Sequence, residues 1–187
     1  STRQSTLFPY TTLFRSIVPE TVDELLSRFQ AIVVPGGYGD RGTDGMVVAS
    51  QYARENRIPF LAIGFGMQLA VVEAVRNLLG VTDANTTEVD PQTPHPVVRI
   101  PEDRICQNDS RGATRMGGGD VVLRPGMLKE LYHADVVRER HSNRYEIDPQ
   151  YITPLDEKGF HMVGFSADSG YPEAFELEGH PFFAAVV

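Results

Sequence analysis

An α/β layered fold built on a mostly parallel sheet is predicted for this 187-residue chain by three observations. Compact apolar runs at Ala31–Val34 and Pro59–Ile63 each end in a glycine-containing joint. Each run is followed by a segment of helical character, Asp44–Asn56 and Met67–Leu79. Strand, helix, strand, helix with short joints makes neighbouring strands parallel and lays helices over the sheet, in three layers.

The elements follow in order. Pro19–Arg28 sets Val22, Leu25, Leu26 and then Phe29 at helical spacing, which predicts a short amphipathic helix. In Asp44–Asn56, Met46, Val47, Ala49, Ser50 and Ala53 offer an inner face. After Gly80 the pattern changes: Val97–Ile100, Asp120–Leu123 and Val136–Arg140 read as strands, and Met127–Tyr132 as a short helix. Tyr145–Ile147 begins an extended piece that turns at Asp148-Pro149. Phe160–Ala167 and Ala174–Leu177 form a hairpin around Asp168-Ser169-Gly170, and Phe182–Val187 is an apolar strand. The polar, glycine-containing stretch Pro101–Gly119 reads as a loop.

Ser1–Ser16 differs from the rest. It is rich in Ser, Thr, Phe and Leu, has no acidic residue and shows no helical period. It reads as a non-native, disordered segment of the kind left by cloning or sequencing, which places the domain at residues 17–187. Ser5–Phe14 nevertheless holds strand formers broken only by Pro9, so it can be recruited to a sheet edge.

Apolar residues make up 41% and charged residues 22%, the balance of a soluble globular domain. There is no apolar run long enough to span a bilayer and no secretory pattern, so no membrane partner is expected. The lone Cys106 excludes an internal disulfide framework and a multi-cysteine metal site, and agrees with a cytoplasmic location. A formal net charge of −8 excludes a general nucleic-acid binder, whose phosphate affinity comes from clustered Lys and Arg. The histidines lack metal-ligand spacing, so no metal is expected.

The most informative segment is Leu61–Gln68. A buried strand turning sharply into a helix presents one residue at a helix N-terminus, where free N–H groups hold an anion. Enzymes use such an elbow to expose a Ser or Cys nucleophile. Here the tip is Gly64, which has no side chain to attack with. The second informative segment is Val34-Pro35-Gly36-Gly37-Tyr38-Gly39, a turn whose glycines let N–H groups approach a ligand. It lacks the Lys-Ser/Thr pair of a P-loop, and no cofactor is expected.

Pro35–Gly42 resembles the oxyanion loop of the glutaminase domain of CTP synthase. Tyr52–Phe60 is similar to the helix and strand before that family's elbow, and Gly64-Phe65-Gly66-Met67-Gln68 to the elbow itself except at its first position. Ala84–Glu88 and Glu139–Glu146 resemble two further signatures, and the match runs from about Ile17 to Val187. The resemblance implies a class I glutamine amidotransferase-like, flavodoxin-like fold. It implies an elbow cysteine that attacks the side-chain amide of glutamine, activated by a His-Glu pair, with the freed ammonia passed to a synthetase domain. It implies an oxyanion hole from Gly37 and the backbone of Phe65, and a glutamine-holding set of Gln68, Glu88 and Arg144.

By the same resemblance the nucleophile position is Gly64, and the segment carrying the catalytic His and Glu would lie beyond Val187. The expectation is a degenerate pseudo-glutaminase that binds a glutamine-like amino acid without turning it over. An alternative is a hydrolase of another substrate that reuses the pocket with carboxylate or histidine acid–base chemistry. His141 and Glu146 are its weak candidates, with Asp40, Asp44 and Glu88 as further carboxylates. A gene fragment without evolved function is the third expectation. Cys106, away from any elbow, is not expected to be a nucleophile. Loss of the family's first strands leaves an edge at Ala31–Val34, to be covered by Ser5–Phe14 or by a second copy in a homodimer.

Overall fold

The computed structural model describes residues 14–105 and 114–186; Cys106, and all of Ser5–Phe14 save Phe14, fall outside them. In chain order the elements are α1 (Val22–Leu26), β1 (Ile32–Val34), α2 (Thr43–Glu55), β2 (Phe60–Ile63), α3 (Phe65–Leu78), β3 (Ala84–Thr86) and β4 (His95–Arg99). After a short 3₁₀ turn come β5 (Arg115–Leu123), α4 (Met127–Tyr132), β6 (Val136–Asn143) and β7 (Glu146–Ile147). A second 3₁₀ turn leads into α5 (Ile152–Asp156), β8 (Phe160–Ser166), β9 (Pro172–Leu177) and β10 (Phe183–Val186).

Seven strands form one sheet in the order β1-β2-β10-β9-β8-β5-β6, and β3-β4-β7 form a small second sheet. The α/β class is as predicted, but the sheet is mixed rather than mostly parallel. Only β1, β2 and β10 run parallel to one another; the pairs from β10 through β9, β8 and β5 to β6 are antiparallel. The physical reason lies in the connections. The helical crossover α2 carries the chain from β1 into β2 in the same direction, whereas the short turn between β8 and β9 can only reverse the chain.

β5 also corrects the loop expected over Pro101–Gly119. Arg115 to Val122 pair residue by residue with Asn143 to Val136, so cross-strand pairing holds even the glycines 117–119 in a strand. Phe14, assigned to the disordered opening segment, is 4% exposed and joins the main core with Ile17.

Side chains alternate across the sheet. Phe60, Phe175 and Phe183 face the main core beneath α2 and α3, whereas Ala174 and Ala184 face a smaller cluster around Leu128 of α4. The rings of Phe60 and Phe183 stack at 4.4 Å and those of Phe160 and Phe175 meet at 4.1 Å, joining the parallel and antiparallel halves. Helix α3 is buried almost all round, from Phe65 to Val75, because it lies between the large sheet and the small one. Its one buried charge, Glu73, is wholly withdrawn from water. It accepts Arg54 Nη2 at 2.7 Å, Arg54 Nε at 3.1 Å and Asn77 Nδ2 at 2.9 Å, which ties α2 to α3.

Candidate functional site

The strand β2 ends at Ile63 and the chain turns at Gly64 with φ 55° and ψ −116° before α3 starts at Phe65. This backbone region is strained for any residue with a side chain and persists only where the surroundings fix it. They do fix it: Gly64 N–H donates to Val186 of β10 at 2.8 Å, and the Gly64 carbonyl accepts from Gln68 N–H at 3.2 Å. The expected elbow is therefore present, with free N–H groups in the first turn of a 14-residue helix.

Gly66 explains how the glycine loop reaches that turn. A Cβ at Gly66 would lie 2.4 Å from the Val34 carbonyl oxygen and 2.9 Å from that of Pro35, so only glycine lets the end of β1 press against α3. At Gly64 the reverse holds. A Cβ there would meet only Gly36 Cα, at 3.7 Å, an ordinary contact. The tip has room for a side chain and carries none.

Between the loop, the elbow and the end of β6 lies a cleft of about 760 Å³. Gly36, Gly37, Tyr38, Ile63, Gly64, Phe65, Gln68 and Glu88 line one side, with Thr114, Arg140, Ser142, Asn143, Arg144 and Tyr145 on the other. The structure thus gathers Gly37, Gly64, Phe65, Gln68, Glu88 and Arg144 from separate stretches of sequence. Gln68 is only 6% exposed and donates from Nε2 to the Tyr145 carbonyl at 3.1 Å. Glu88 accepts Gly39 N–H at 2.8 Å. Burial pushes its carboxyl above the usual value, against the opposing pull of that N–H and of Arg144. Arg144 donates from Nε to Thr114 Oγ1 at 3.1 Å rather than pairing with Glu146.

His141 and Glu146, the weak acid–base candidates, do not meet in the cleft. His141 is 2% exposed and bonds from Nε2 to Glu173 Oε2 at 3.0 Å, and Glu173 also pairs with Arg115. Strand alternation is the cause: Arg140 and Ser142 of β6 face the cleft, so His141 between them faces away. Glu146 is held by Arg104 Nη1 at 2.6 Å and Asn143 Nδ2 at 2.9 Å. Burial raises its carboxyl even so. Asp40 and Asp44 are exposed and outside the cleft lining. Sequence reasoning missed Arg140, Ser142 and Tyr38; the period-2 spacing of Arg140 and Ser142 next to Arg144 was the available signal.

Chemically, the arrangement offers a carboxylate for an ammonium group, a guanidinium for a carboxylate, and backbone N–H groups at the elbow for a carbonyl oxygen. Among the described lining residues there is no histidine and a single carboxylate, Glu88.

The sequence model of glutamine amidotransferase class-I matches residues 2–186. The chain belongs to the class I glutamine amidotransferase family. Curated relatives named CTP synthase include those of Archaeoglobus fulgidus, 42% identical, and Caldanaerobacter subterraneus, 44% identical, each over 167 residues. Those matches take in 89% of this chain and 31% of the relative, so the chain spans about a third of their length. Among solved structures, the glutaminase domain of Trypanosoma brucei CTPS with bound acivicin superposes with a TM-score of 0.87 at 32% identity. The match covers 96% of this chain and 70% of that one. A putative GMP synthase protein from Thermoplasma acidophilum shares the fold, with a TM-score of 0.57 at 17% identity over 91% and 68% of the two chains. The domain is thus a glutamine amidotransferase-like domain of the CTP synthase family. Among its described residues no helix is long and apolar enough to cross a membrane.

Proposed function

We propose that this domain is a pseudo-glutaminase, which binds glutamine or a closely similar amino acid in the cleft without turning it over through a covalent intermediate. The observation that carries this reading is Gly64. The elbow keeps its turn and its N–H donors, yet the residue at its tip has no nucleophilic atom. Gln68, Glu88 and Arg144 around the cleft supply the ligand-holding set, with Gly37 and Phe65 N–H groups at the oxyanion position. A cytoplasmic location and a role beside pyrimidine nucleotide synthesis belong to the same proposal, supported by the relatives' name. So does self-association along β1, an outer strand of the large sheet among the described residues, whose Val33 is 53% exposed. No observation favours the acid–base hydrolase, since Glu88 has no second carboxylate or histidine beside it in the described lining.

Two measurements on the purified chain test the reading. Added glutamine is expected to raise the thermal midpoint, while ammonia release stays at the buffer background. Saturable ammonia release that co-purifies with the protein to constant specific activity would overturn the pseudo-enzyme assignment. A midpoint indifferent to glutamine and to acivicin, the small molecule held by the trypanosomal relative, would overturn the binding assignment.

A further inference from the structure

We infer that the cleft prefers an acidic amino acid, glutamate, over the corresponding amide, glutamine. The inference rests on the amino-acid-binding reading above and sets its specificity. Among the described residues, the charged side chains that line the cleft are Arg140, Arg144 and Glu88. Two guanidinium groups face one carboxylate, which leaves a formal excess of one positive charge. Arg144 and Glu88 are matched by the carboxylate and ammonium of any α-amino acid. Arg140 is exposed and has no ion-pair or hydrogen-bond partner among the described residues. Glutamine is neutral overall and leaves that surplus uncompensated, whereas glutamate carries one further anion. Because Arg140 is exposed, solvent screens this difference and holds it to about tenfold in affinity.

The elbow supplies a place for the additional carboxylate. The N-terminus of the 14-residue α3 points free N–H groups into the cleft beside Gly64, a site that favours anions. A side chain at position 64 would stand in that space, and a thiolate there would repel a carboxylate. With glycine, the nearest described atom beyond the adjoining residues to the missing Cβ is Gly36 Cα at 3.7 Å, so a second carboxylate oxygen has room there. The wall is already built: Gln68 is nearly buried and fixed by the Tyr145 carbonyl, and Glu88 is fixed by Gly39 N–H.

Isothermal titration of the full chain with L-glutamate and with L-glutamine at low ionic strength tests this. Glutamate is expected to bind about tenfold tighter than glutamine. Arg140→Gln is expected to cut that ratio to about threefold by removing the surplus charge, with an unchanged melting curve because Arg140 is exposed. Equal affinities, or tighter glutamine, would overturn the inference while leaving the amino-acid pocket standing. A glutamate preference untouched by Arg140→Gln would also overturn it. Failure of both amino acids to bind would overturn the pocket reading itself.

Discussion

Glu73 and Glu88 are both glutamates drawn away from bulk water, and their surroundings are unlike. Glu73, between α2 and α3, is wholly buried and met by both Arg54 donors and by Asn77. Glu88, at the cleft, is met by one backbone N–H from Gly39 and by the more distant charge of Arg144. A carboxylate has lone pairs for several donors. Those of Glu73 are spent inside the protein, so it serves packing. Those of Glu88 are largely unspent, so it has capacity left for a ligand. The count of satisfied lone pairs separates the two roles better than burial does.

The largest effect expected from breaking this contrast is at the packing site. Glu73→Ala leaves the Arg54 guanidinium in a nearly closed space and is expected to cost about 3 kcal/mol in urea unfolding, with ligand affinity retained in whatever fraction stays folded. A cost below about 1 kcal/mol would show that Arg54 escapes to solvent and that Glu73 is not structural.

Glu88→Gln is expected to act on binding instead, weakening an amino-acid ligand by about 2 kcal/mol in calorimetry while leaving the fold intact. Its pH signature has a definite sign. Burial holds the Glu88 carboxyl above its ordinary value near 4.5, so ionising it favours the unfolded chain. Whatever stability this group permits below 4.5 is lost as pH rises through the raised value. The variant's stability should therefore gain on the parent's as pH climbs out of the acidic range; an opposite drift would mean that Arg144 dominates.

A smaller effect is expected at the elbow itself. Gly64→Ala is expected to cost about 1 kcal/mol, because alanine is strained at φ 55° while its methyl meets no obstacle. A larger loss would reveal a clash, and no loss would mean the turn relaxes.

The smallest effect concerns exposed carboxylates. His161 bonds Asp156 at 2.7 Å and approaches Glu178 at 3.4 Å. The hydrogen bond to Asp156 holds its pKa above 6.5 against desolvation, with a smaller pull from Glu178. The stabilisation is full below 6.5 and lost as pH rises through the raised value. His161→Gln should thus remove only a few tenths of a kcal/mol, at mildly acidic pH and not at alkaline pH, as read from paired melting curves.

How far this was legible in sequence depended on whether the deciding contact was local. α2, β2 and the elbow were readable because Met46 to Ala53 and Leu61 to Gln68 carry their period and glycines within one segment. The strand character of 115–119 was not, since Gly117-Gly118-Gly119 has no apolar pattern and becomes a strand only through pairing with Glu139, Arg140 and His141. The cleft was partly legible: resemblance named Gln68, Glu88 and Arg144, yet nothing local told that His141 would meet Glu173 across the sheet. Alternation alone could have excluded His141 once Arg140 and Ser142 were assigned to one face.

The two elbow glycines also differ in what mutation over generations can do to them. Glycine codons GGT and GGC become the cysteine codons TGT and TGC by a single base change, and the open space at Gly64 bars no such step. Gly66 has no comparable passage, because every replacement drives a Cβ into the Val34 carbonyl. Drift at this turn is therefore lopsided. The shape of the turn is locked by Gly66, while at Gly64 only the strain of a side chain at φ 55° stands against replacement. A lineage can carry such an elbow silent for long periods and still keep it one substitution from bearing a thiol.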